Sequence, residues 1–247
     1  MKKLSVVVIT RDEEKNIRRC LESVSWADEI IVIDSHSTDR TTTIASDMGA
    51  RVYSIAWQGF GHAKREGVDK ARADWILSLD ADEVVSGELA LEIKKVLEND
   101  TEYSGYYFTR KANFLGRWIY HCGWYPDPVL RLFLKSKGNF NNALVHEKAV
   151  VDGKCGRLKG ELLHYSYSTM TGYLDKFNRY TTLGAEKAHS EGKKAGWFDL
   201  ILKPPASFFK HYIVKQGFRD GWEGFLISIL SATAVLVKYA KLREMDR

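Results

Sequence analysis

The sequence of 247 residues predicts an α/β fold in which helices flank a mostly parallel sheet. Two observations lead to this prediction. Up to about residue 100, short apolar runs rich in β-branched residues alternate at close intervals with segments whose apolar residues recur at helical spacing. Polar residues also follow several of these runs directly, and open α/β sheets hold their ligands at the carboxyl ends of such strands.

Four strands are predicted in this part of the chain. Each is a short apolar run without helical spacing, which is typical of a strand buried on both faces. They are Leu4 to Ile9, Ile30 to Ile33, Val52 to Ile55 and Trp75 to Leu79. The first, second and fourth runs lead into Thr10, Asp34 and Asp80, so we expect these side chains at one edge of the sheet.

Four helices are predicted to connect and follow the strands. We expect Asp12 to cap the first helix, because a carboxylate accepts hydrogen bonds from the free amides at a helix start. For the same reason we expect Ser37 or Thr38 to cap the second helix. The third helix covers roughly Ala63 to Ala71. Ser86 caps the fourth, whose apolar face is Leu89, Ile93, Val96 and Leu97.

The acidic cluster after the fourth strand is the first candidate for a ligand site. Asp80 and Asp82 are separated by one small residue and are followed by Glu83. Two carboxylates at this spacing can hold Mg²⁺ or Mn²⁺, hard cations that also take phosphate oxygens. The alternative is a solvated acidic turn, which the spacing alone does not exclude.

Two other classes of nucleotide enzyme fit the sequence poorly. A nicotinamide-dependent dehydrogenase would carry Gly-x-Gly-x-x-Gly after the first strand, and residues 10–13 contain no glycine. Gly59 and Gly61 follow the third strand without the third glycine of that motif. A nucleotidyltransferase would need a glycine-rich, basic phosphate loop near the N-terminus, which is absent from residues 10–14.

After residue 100 the pattern is less regular and richer in aromatic residues. Tyr106 to Thr109 and Val129 to Phe133 are predicted strands. Between them lie several aromatic side chains that either fill a core or form platforms for the apolar faces of sugar rings. They are Trp118, Tyr120, Trp124 and Tyr125.

The distribution of charge excludes a generally basic protein, and we expect no nucleic-acid partner. The net charge is +5, and residues 193–247 contain ten Lys/Arg and five Asp/Glu, so the whole excess lies there.

The three cysteines are far apart and predict reduced thiols in a cytosolic compartment. The N-terminus leads straight into a strand and does not resemble a signal peptide.

The C-terminal segment predicts helices that associate with a membrane surface. Phe225 to Val237 is an apolar run of thirteen residues, whereas spanning a bilayer takes about 20 residues. Apolar helices flanked by cations fit the headgroup region of an anionic leaflet. The alternative is a helix that packs on the catalytic domain or in a dimer interface, so an oligomer formed through these helices is possible.

Three segments together resemble family 2 glycosyltransferases of the GT-A fold. They are Ser5-Val-Val-Val-Ile-Thr-Arg-Asp-Glu-Glu14, Val32-Ile-Asp-Ser-His-Ser-Thr-Asp-Arg-Thr41, and Ala63-Lys-Arg-Glu-Gly67 followed by Leu79-Asp-Ala-Asp-Glu83. Their order and spacing match over residues 4–100. The resemblance implies a Rossmann-like sheet, a Mg²⁺ or Mn²⁺ cofactor and a nucleotide-sugar donor, with a UDP-sugar expected.

Later segments resemble the glucosyltransferases that extend the inner core of bacterial lipopolysaccharide. They are Trp124-Tyr-Pro-Asp127 with Arg131-Leu-Phe133, Val145-His-Glu147, His164-Tyr-Ser-Tyr167 and Gly217-Phe-Arg-Asp-Gly221. The chain departs from the family at Ser35, where a second Asp is common, and at Lys64-Arg65, where Arg-Asn is common. Lys64 keeps a cation but lacks the planar fork of arginine.

The resemblance implies a role for each site residue. Those expected to contact the donor are Thr10, Glu13, Asp34, Lys64 and Asp80. Asp82 and Asp80 are the expected metal ligands, with His164 as a candidate third ligand and His146 as its alternative. Inversion at the sugar needs a carboxylate base for the acceptor hydroxyl, and the candidates are Asp127 and then Glu147. Asp127 could equally form a structural ion pair with Arg131.

The resulting hypothesis is an inverting, metal-dependent transferase that moves a hexose to an inner-core heptose or a related membrane glycolipid. Residues 1–100 are expected to bind the nucleotide sugar, 101–192 the acceptor, and 193–247 the anionic inner face of the cytoplasmic membrane. Two alternatives stay open. One is a transferase acting on polyprenyl phosphate, a class that usually has membrane-spanning helices. The other is a non-catalytic membrane adaptor on the same fold.

Overall fold

Two compact units make up the chain, whose computed structural model describes residues 2–141 and 148–246. The first unit comprises Met1–Arg110 and Asp127–His164, and the second unit comprises Lys111–Pro126 and Tyr165–Arg247. The units are groups of residues in mutual contact. The boundaries expected at residues 100 and 192 concern binding roles and stay a prediction.

The strands and helices predicted up to Phe133 occur in the predicted order, and the described residues contain further strands and helices that were not predicted. The strands are β1 Leu4–Thr10, β2 Glu29–Asp34, β3 Arg51–Ser54, β4 Trp75–Asp80, β5 Glu83–Val85, β6 Gly105–Phe114, β7 Arg117–Trp118, β8 Asp127–Leu134, β9 Gly138–Phe140, β10 Ala149–Val151 and β11 Cys155–Tyr167. The helices are α1 Ile17–Ser23, α2 Thr41–Asp47, α3 Phe60–Lys70, α4 Gly87–Glu98, α5 Met170–Ser190, α6 Trp197–Ile201, α7 Lys203–Phe209 and α8 Gly221–Met245.

The main sheet has the strand order β3-β2-β1-β4-β8-β6-β11-β5. Strands β1 to β4 pair in parallel, as the alternation of apolar runs and helices predicts. Beyond β4 the pairing changes, because β8 is antiparallel to both β4 and β6, and β11 is antiparallel to β5. The irregular pattern after residue 100 therefore corresponds to antiparallel strands that extend the parallel half.

Helices cover both faces of the parallel strands, which explains why β1 is apolar on both sides and buried throughout. The side chains of Leu4, Val6 and Val8 join one core cluster, and Val7 and Ile9 join another. The first cluster also includes the buried face of α4, as predicted, and Ser86 caps that helix by accepting a hydrogen bond from the Leu89 amide.

The predicted caps of the first two helices are wrong. Neither α1 nor α2 has a capping side chain at its N-cap. The Asp12 carboxylate instead accepts hydrogen bonds from the amide and hydroxyl of Thr38, and the Ser37 hydroxyl accepts one from the Asp12 amide. These contacts join the loops after β1 and β2, so tertiary hydrogen bonds have replaced local capping at the edge of the sheet.

The C-terminal helix of the second unit is longer than the apolar run predicts. Helix α8 has 25 residues, and with the preceding 3₁₀ turn it forms a helical segment from Gly217 to Met245 that is long and apolar enough to cross a membrane. It is the one such segment in the described residues. The expectation that this run is too short to span a bilayer is therefore wrong, because the helix continues past Lys238, where the apolar count stops. Helix α8 also packs against α5, α6 and α7.

Candidate functional site

The carboxyl ends of β1, β2 and β4 bring three predicted site residues to one edge. Thr10 is in register with Asp34, and Ile9 is in register with Asp80. Thr10 and Asp34 are both buried. The Asp34 carboxylate accepts hydrogen bonds from the amide and hydroxyl of Ser37, whereas the Thr10 hydroxyl has no partner among the described residues. This edge therefore holds a buried hydroxyl that a ligand could satisfy.

Helix α3 places a buried lysine at the same edge. Gly67 allows the close approach of this helix to β1, because a Cβ at that position would lie 2.1 Å from the Val7 side chain. Lys64, one turn earlier, is only 2% exposed, and its ammonium lies 3.1 Å from an Asp80 carboxylate oxygen. The structure thus joins two residues that the sequence assigned to the donor site.

A buried arginine connects the first and last carboxylates of the acidic cluster. The Arg131 guanidinium lies 2.7 Å from Asp80 and 2.8 Å from Glu83, which is fully buried. The other Glu83 oxygen accepts a hydrogen bond from the Asp80 amide. Glu83 therefore fixes both the backbone of Asp80 and the cation beside it.

The charges in this network control its ionisation. Burial alone would raise the pKa of Asp80, but the positive charges of Arg131 and Lys64 outweigh that effect and hold the pKa well below its usual value. Burial opposes the charge of Arg131 as well, and Asp80 and Glu83 together raise the pKa of its guanidinium. Asp80 is thus an anion whose charge is already balanced by protein cations.

Asp82 has a different partner from its neighbour. Its carboxylate lies 3.2 Å from Nε2 of His164, and both side chains are largely buried. The register of β5 and β11 produces this contact, because His164 pairs with Glu83 across the two strands. A carboxylate oxygen and an imidazole nitrogen side by side are ligands that suit Mn²⁺. In the described residues no three Asp, Glu, His or Cys side chains form a metal cluster.

Asp127 begins β8 opposite Arg110 of β6. Both Nε and Nη2 of Arg110 donate to one Asp127 oxygen, at 2.9 and 2.7 Å, while Nη1 lies 3.3 Å from Glu83. The side chain of Asp127 is 41% exposed. The expected ion pair of Asp127 with Arg131 is therefore wrong, because Arg131 pairs with Asp80 and Glu83, and Asp127 pairs with Arg110 instead.

The remaining predicted site residues are Glu13, His146 and Glu147, and the structure describes only the first of them. Glu13 lies in the loop after β1, where its carboxylate accepts a hydrogen bond from Asn16 and its amide donates to Thr41. Glu147 and His146 lie outside the described residues. Their assignments as candidate base and candidate metal ligand stay predictions.

Sequence reasoning assigned no site role to the two arginines that join these carboxylates. Arg110 and Arg131 lie in irregular strands after residue 100, and nothing in their spacing indicates the carboxylates they contact. Their contacts depend on the order β4-β8-β6, which places two strands from the later part of the chain beside the acidic cluster. A signal was present for Arg131 alone, in the segment Arg131-Leu-Phe133 that carries part of the resemblance.

Comparisons with known proteins identify a family and several relatives of this chain. Residues 5–178 match the sequence model of glycosyl transferase family 2. Over its full length the chain is 32% identical to an uncharacterized glycosyltransferase of Rickettsia typhi, of which it covers 88%. It is 29% identical to the lipopolysaccharide core biosynthesis glycosyltransferase LpsC of Rhizobium meliloti, over 98% of this chain and 92% of that one. Among solved structures, glucosyl-3-phosphoglycerate synthase of Mycobacterium tuberculosis with Mn²⁺ and UDP aligns over 44% of each chain, with 26% identity and a TM-score of 0.39.

Proposed function

This chain belongs to glycosyl transferase family 2 and is a glycosyltransferase of the GT-A fold, and we propose that it is an inverting, metal-dependent enzyme that transfers a hexose from a UDP-sugar. Glucose is the first candidate for the hexose. The acceptor is an inner-core heptose of lipopolysaccharide or a related membrane glycolipid. The homology to a lipopolysaccharide core glycosyltransferase over nearly the whole chain supports this acceptor class.

The observation on which the proposal depends is the pair formed by Asp82 and His164. The Asp82 oxygen fits Mg²⁺ or Mn²⁺, whereas the His164 nitrogen favours Mn²⁺ over Mg²⁺, and oxygens of the donor diphosphate would provide further ligands. A cation bound there supplies positive charge against the negative charge that develops on the departing nucleoside diphosphate. Asp80 holds the charges of Lys64 and Arg131 at the end of β4. Its role as a second carboxylate ligand of the metal stays a prediction.

The donor's nucleotide binds at the edge formed by β1, β2 and β4. Thr10, whose hydroxyl has no partner in the described parts of the chain, faces the base site together with Asp34. Lys64 provides a buried positive charge for the diphosphate. Glu13 contacts the donor from the loop after β1. Hydrogen bonds between Asp12 and Thr38 hold this loop to the loop after β2.

Asp127 is the proposed base. Arg110 donates two hydrogen bonds, from Nε and Nη2, to one carboxylate oxygen of Asp127 and leaves the second oxygen without a partner in the described residues. That oxygen takes the proton of the acceptor hydroxyl while the hydroxyl oxygen bonds to the sugar carbon and the bond to the diphosphate breaks. Glu147 is the second candidate for this role.

The proposal is tested by slow release of UDP from UDP-glucose in the presence of Mn²⁺. Asp82→Ala removes one of the two proposed protein ligands, so we expect release at least about tenfold slower than in the wild type. Asp152→Ala is the matched control, because this carboxylate is exposed and pairs only with Lys137 in the described residues. Equal release by wild type and Asp82→Ala would contradict the proposed metal site, and the absence of Mn²⁺-dependent release from the wild type would favour the adaptor hypothesis.

Membrane association is proposed for the second unit, on the cytoplasmic face of the inner membrane. Its C-terminal helices expose many large apolar side chains, and the chain's excess positive charge lies in the same segment. These side chains are Trp197, Phe198, Ile201, Leu202, Phe209, Val214, Phe218, Trp222 and Phe225. Transferases that act on polyprenyl phosphate usually have membrane-spanning helices. Because the segment from Gly217 to Met245 is long and apolar enough to span a membrane, such an acceptor stays an alternative.

Vesicle co-sedimentation tests this association. We expect the full chain to bind vesicles of phosphatidylcholine mixed with phosphatidylglycerol, and Trp197→Ser combined with Phe198→Ser to weaken binding about tenfold or more, because two large apolar contacts are lost. Leu91→Ser is the control, since Leu91 is equally exposed but lies on α4 of the first unit. Equal binding by the double variant and the control would contradict membrane contact through α6, and a stable dimer without vesicle binding would favour the interface between copies.

A further inference from the structure

A polar cavity in the second unit has no part in the chemistry proposed above. Its volume is about 360 Å³, and the side chains that matter for its chemistry are Tyr120, His121, Tyr125, Lys215 and Gln216. We propose that this cavity binds a negatively charged sugar residue, one that bears a phosphate or a carboxylate group. The inference rests on the proposed function, in which such a residue would be part of the glycolipid acceptor.

The two walls of the cavity are held together by hydrogen bonds from main-chain groups and one imidazole. The Cys122 amide donates to the Lys215 carbonyl at 3.0 Å, and the Cys122 carbonyl pairs with Nδ1 of His211 at 2.7 Å. The Lys215 amide in turn bonds the Lys210 carbonyl at 2.8 Å. The segment 120–126 and the turn at residues 210–216 therefore form a fixed site.

A buried carboxylate orients the imidazole in this wall. Asp220 is 2% exposed and accepts hydrogen bonds from the amides of Tyr120 and His121, at 3.3 and 2.7 Å. It also lies 3.0 Å from Nδ1 of His121. Because a carboxylate only accepts, Nδ1 carries the proton, and Nε2 is the ring nitrogen that can serve a ligand. A buried acid that takes three hydrogen bonds from one loop fixes the imidazole in a single orientation.

The aromatic side chains give the cavity a surface suited to a sugar ring. The rings of Tyr120 and Tyr125 lie 5.6 Å apart between centroids, and Tyr120 is 46% exposed. The ammonium of Lys111 lies 4.2 Å from the centroid of the Tyr120 ring. An aromatic face can stack on the apolar face of a saccharide, and phenolic hydroxyls and the Gln216 amide can bond its hydroxyl groups.

The positive charge of Lys215 favours an anionic ligand in the cavity. The stem of Lys215 runs beside Gly123, where a Cβ would lie 3.6 Å from the Lys215 Cγ, and the Lys215 ammonium makes no hydrogen bond or ion pair in the described residues. Among the residues that the structure describes, no acidic side chain lines the cavity, and Asp220 is buried and does not line it. A phosphate or carboxylate would therefore meet positive charge without an opposing carboxylate. Asp127, the proposed base, directly follows Pro126 of this wall in the sequence.

Binding of simple probes to the purified full chain tests the inference. The probes are glucose 6-phosphate, glucuronate, glucose and inorganic phosphate, measured by ligand-observed NMR and calorimetry without a sugar nucleotide. We expect at least one charged sugar to bind about tenfold more tightly than glucose, and Lys215→Met to remove that advantage. We expect Tyr120→Ala to weaken every sugar probe. Lys210→Met is the matched control, because Lys210 is exposed on the same turn but does not line the cavity.

Each outcome decides the inference. Preference for glucose 6-phosphate supports a phosphorylated residue, and preference for glucuronate supports a carboxylated one. The inference is overturned if neither binds more tightly than glucose, if inorganic phosphate binds as tightly as glucose 6-phosphate, or if Lys210→Met has the same effect as Lys215→Met. Binding of UDP with Mn²⁺ is measured on the same samples, so a failed anion site with intact UDP binding leaves the proposed function standing.

Discussion

Asp127→Asn is expected to lower sugar transfer by about 10²- to 10⁴-fold, the range that a positioned general base contributes. The amide of the variant can still accept a hydrogen bond from Arg110 through its oxygen, so β6 and β8 keep their connection. It cannot take a proton from the acceptor hydroxyl. We therefore expect binding of UDP and Mn²⁺ to stay at the wild-type level while the transfer step is lost.

The measurement compares the release of UDP with and without lipopolysaccharide truncated after the first core heptose. Glu147→Gln serves as the parallel variant, since Glu147 is the second candidate base. If Asp127→Asn keeps acceptor-stimulated release and Glu147→Gln loses it, the base is Glu147, and the pair of Asp127 and Arg110 is a structural ion pair. Loss of UDP binding in Asp127→Asn would instead indicate that the carboxylate maintains the donor site.

The parallel half of the fold could be predicted because its signals are local. Each of the strands β1 to β4 is an uninterrupted apolar run, and the helix after Ser86 shows both its cap and its apolar face in the sequence. The caps proposed for α1 and α2 failed for the opposite reason. Asp12, Ser37 and Thr38 have the chemistry of caps, but their partners lie across two loops that only the folded sheet brings together.

In the candidate site, too, the residues with local sequence signals could be predicted and the contacts between distant segments could not. Asp80 and Asp82 are visible as carboxylates after a buried strand, and motif resemblance added His164, which the structure places 3.2 Å from Asp82. The ion pairs of Arg110 and Arg131 could not be predicted. The hydrophobic pattern of a strand does not indicate which distant strand it will pair with, or in which register. The same limit applies to α8, which continues beyond its apolar run through Lys238 to Met245 and packs against α5, α6 and α7.

Arg131→Met is expected to destabilise the protein by about 3–5 kcal/mol, which is the usual cost of removing one partner from a buried ion pair. Glu83 is fully buried and, within the described residues, would keep Arg110 as its only charged partner, and Asp80 would keep Lys64 as its only one. Chemical denaturation followed by circular dichroism measures the change. Lys154→Met is the control, because its pair with Glu102 is exposed on both sides and should contribute less than about 1 kcal/mol.

A double-mutant cycle separates the network from simple loss of packing. Asp80→Asn leaves the Arg131 charge with only Glu83 as its neighbouring carboxylate in the described residues, so it should also be destabilising. If the two charges stabilise each other in the folded protein, Arg131→Met should cost less in the Asp80→Asn background than in the wild type, by about 0.5–3 kcal/mol. Additive effects would mean that Arg131 does not stabilise the protein through the charge of Asp80, and that its contribution comes from Glu83 and from the packing of its side chain. A wild-type-like stability for Arg131→Met would mean that Lys64 and Arg110 suffice to balance both carboxylates.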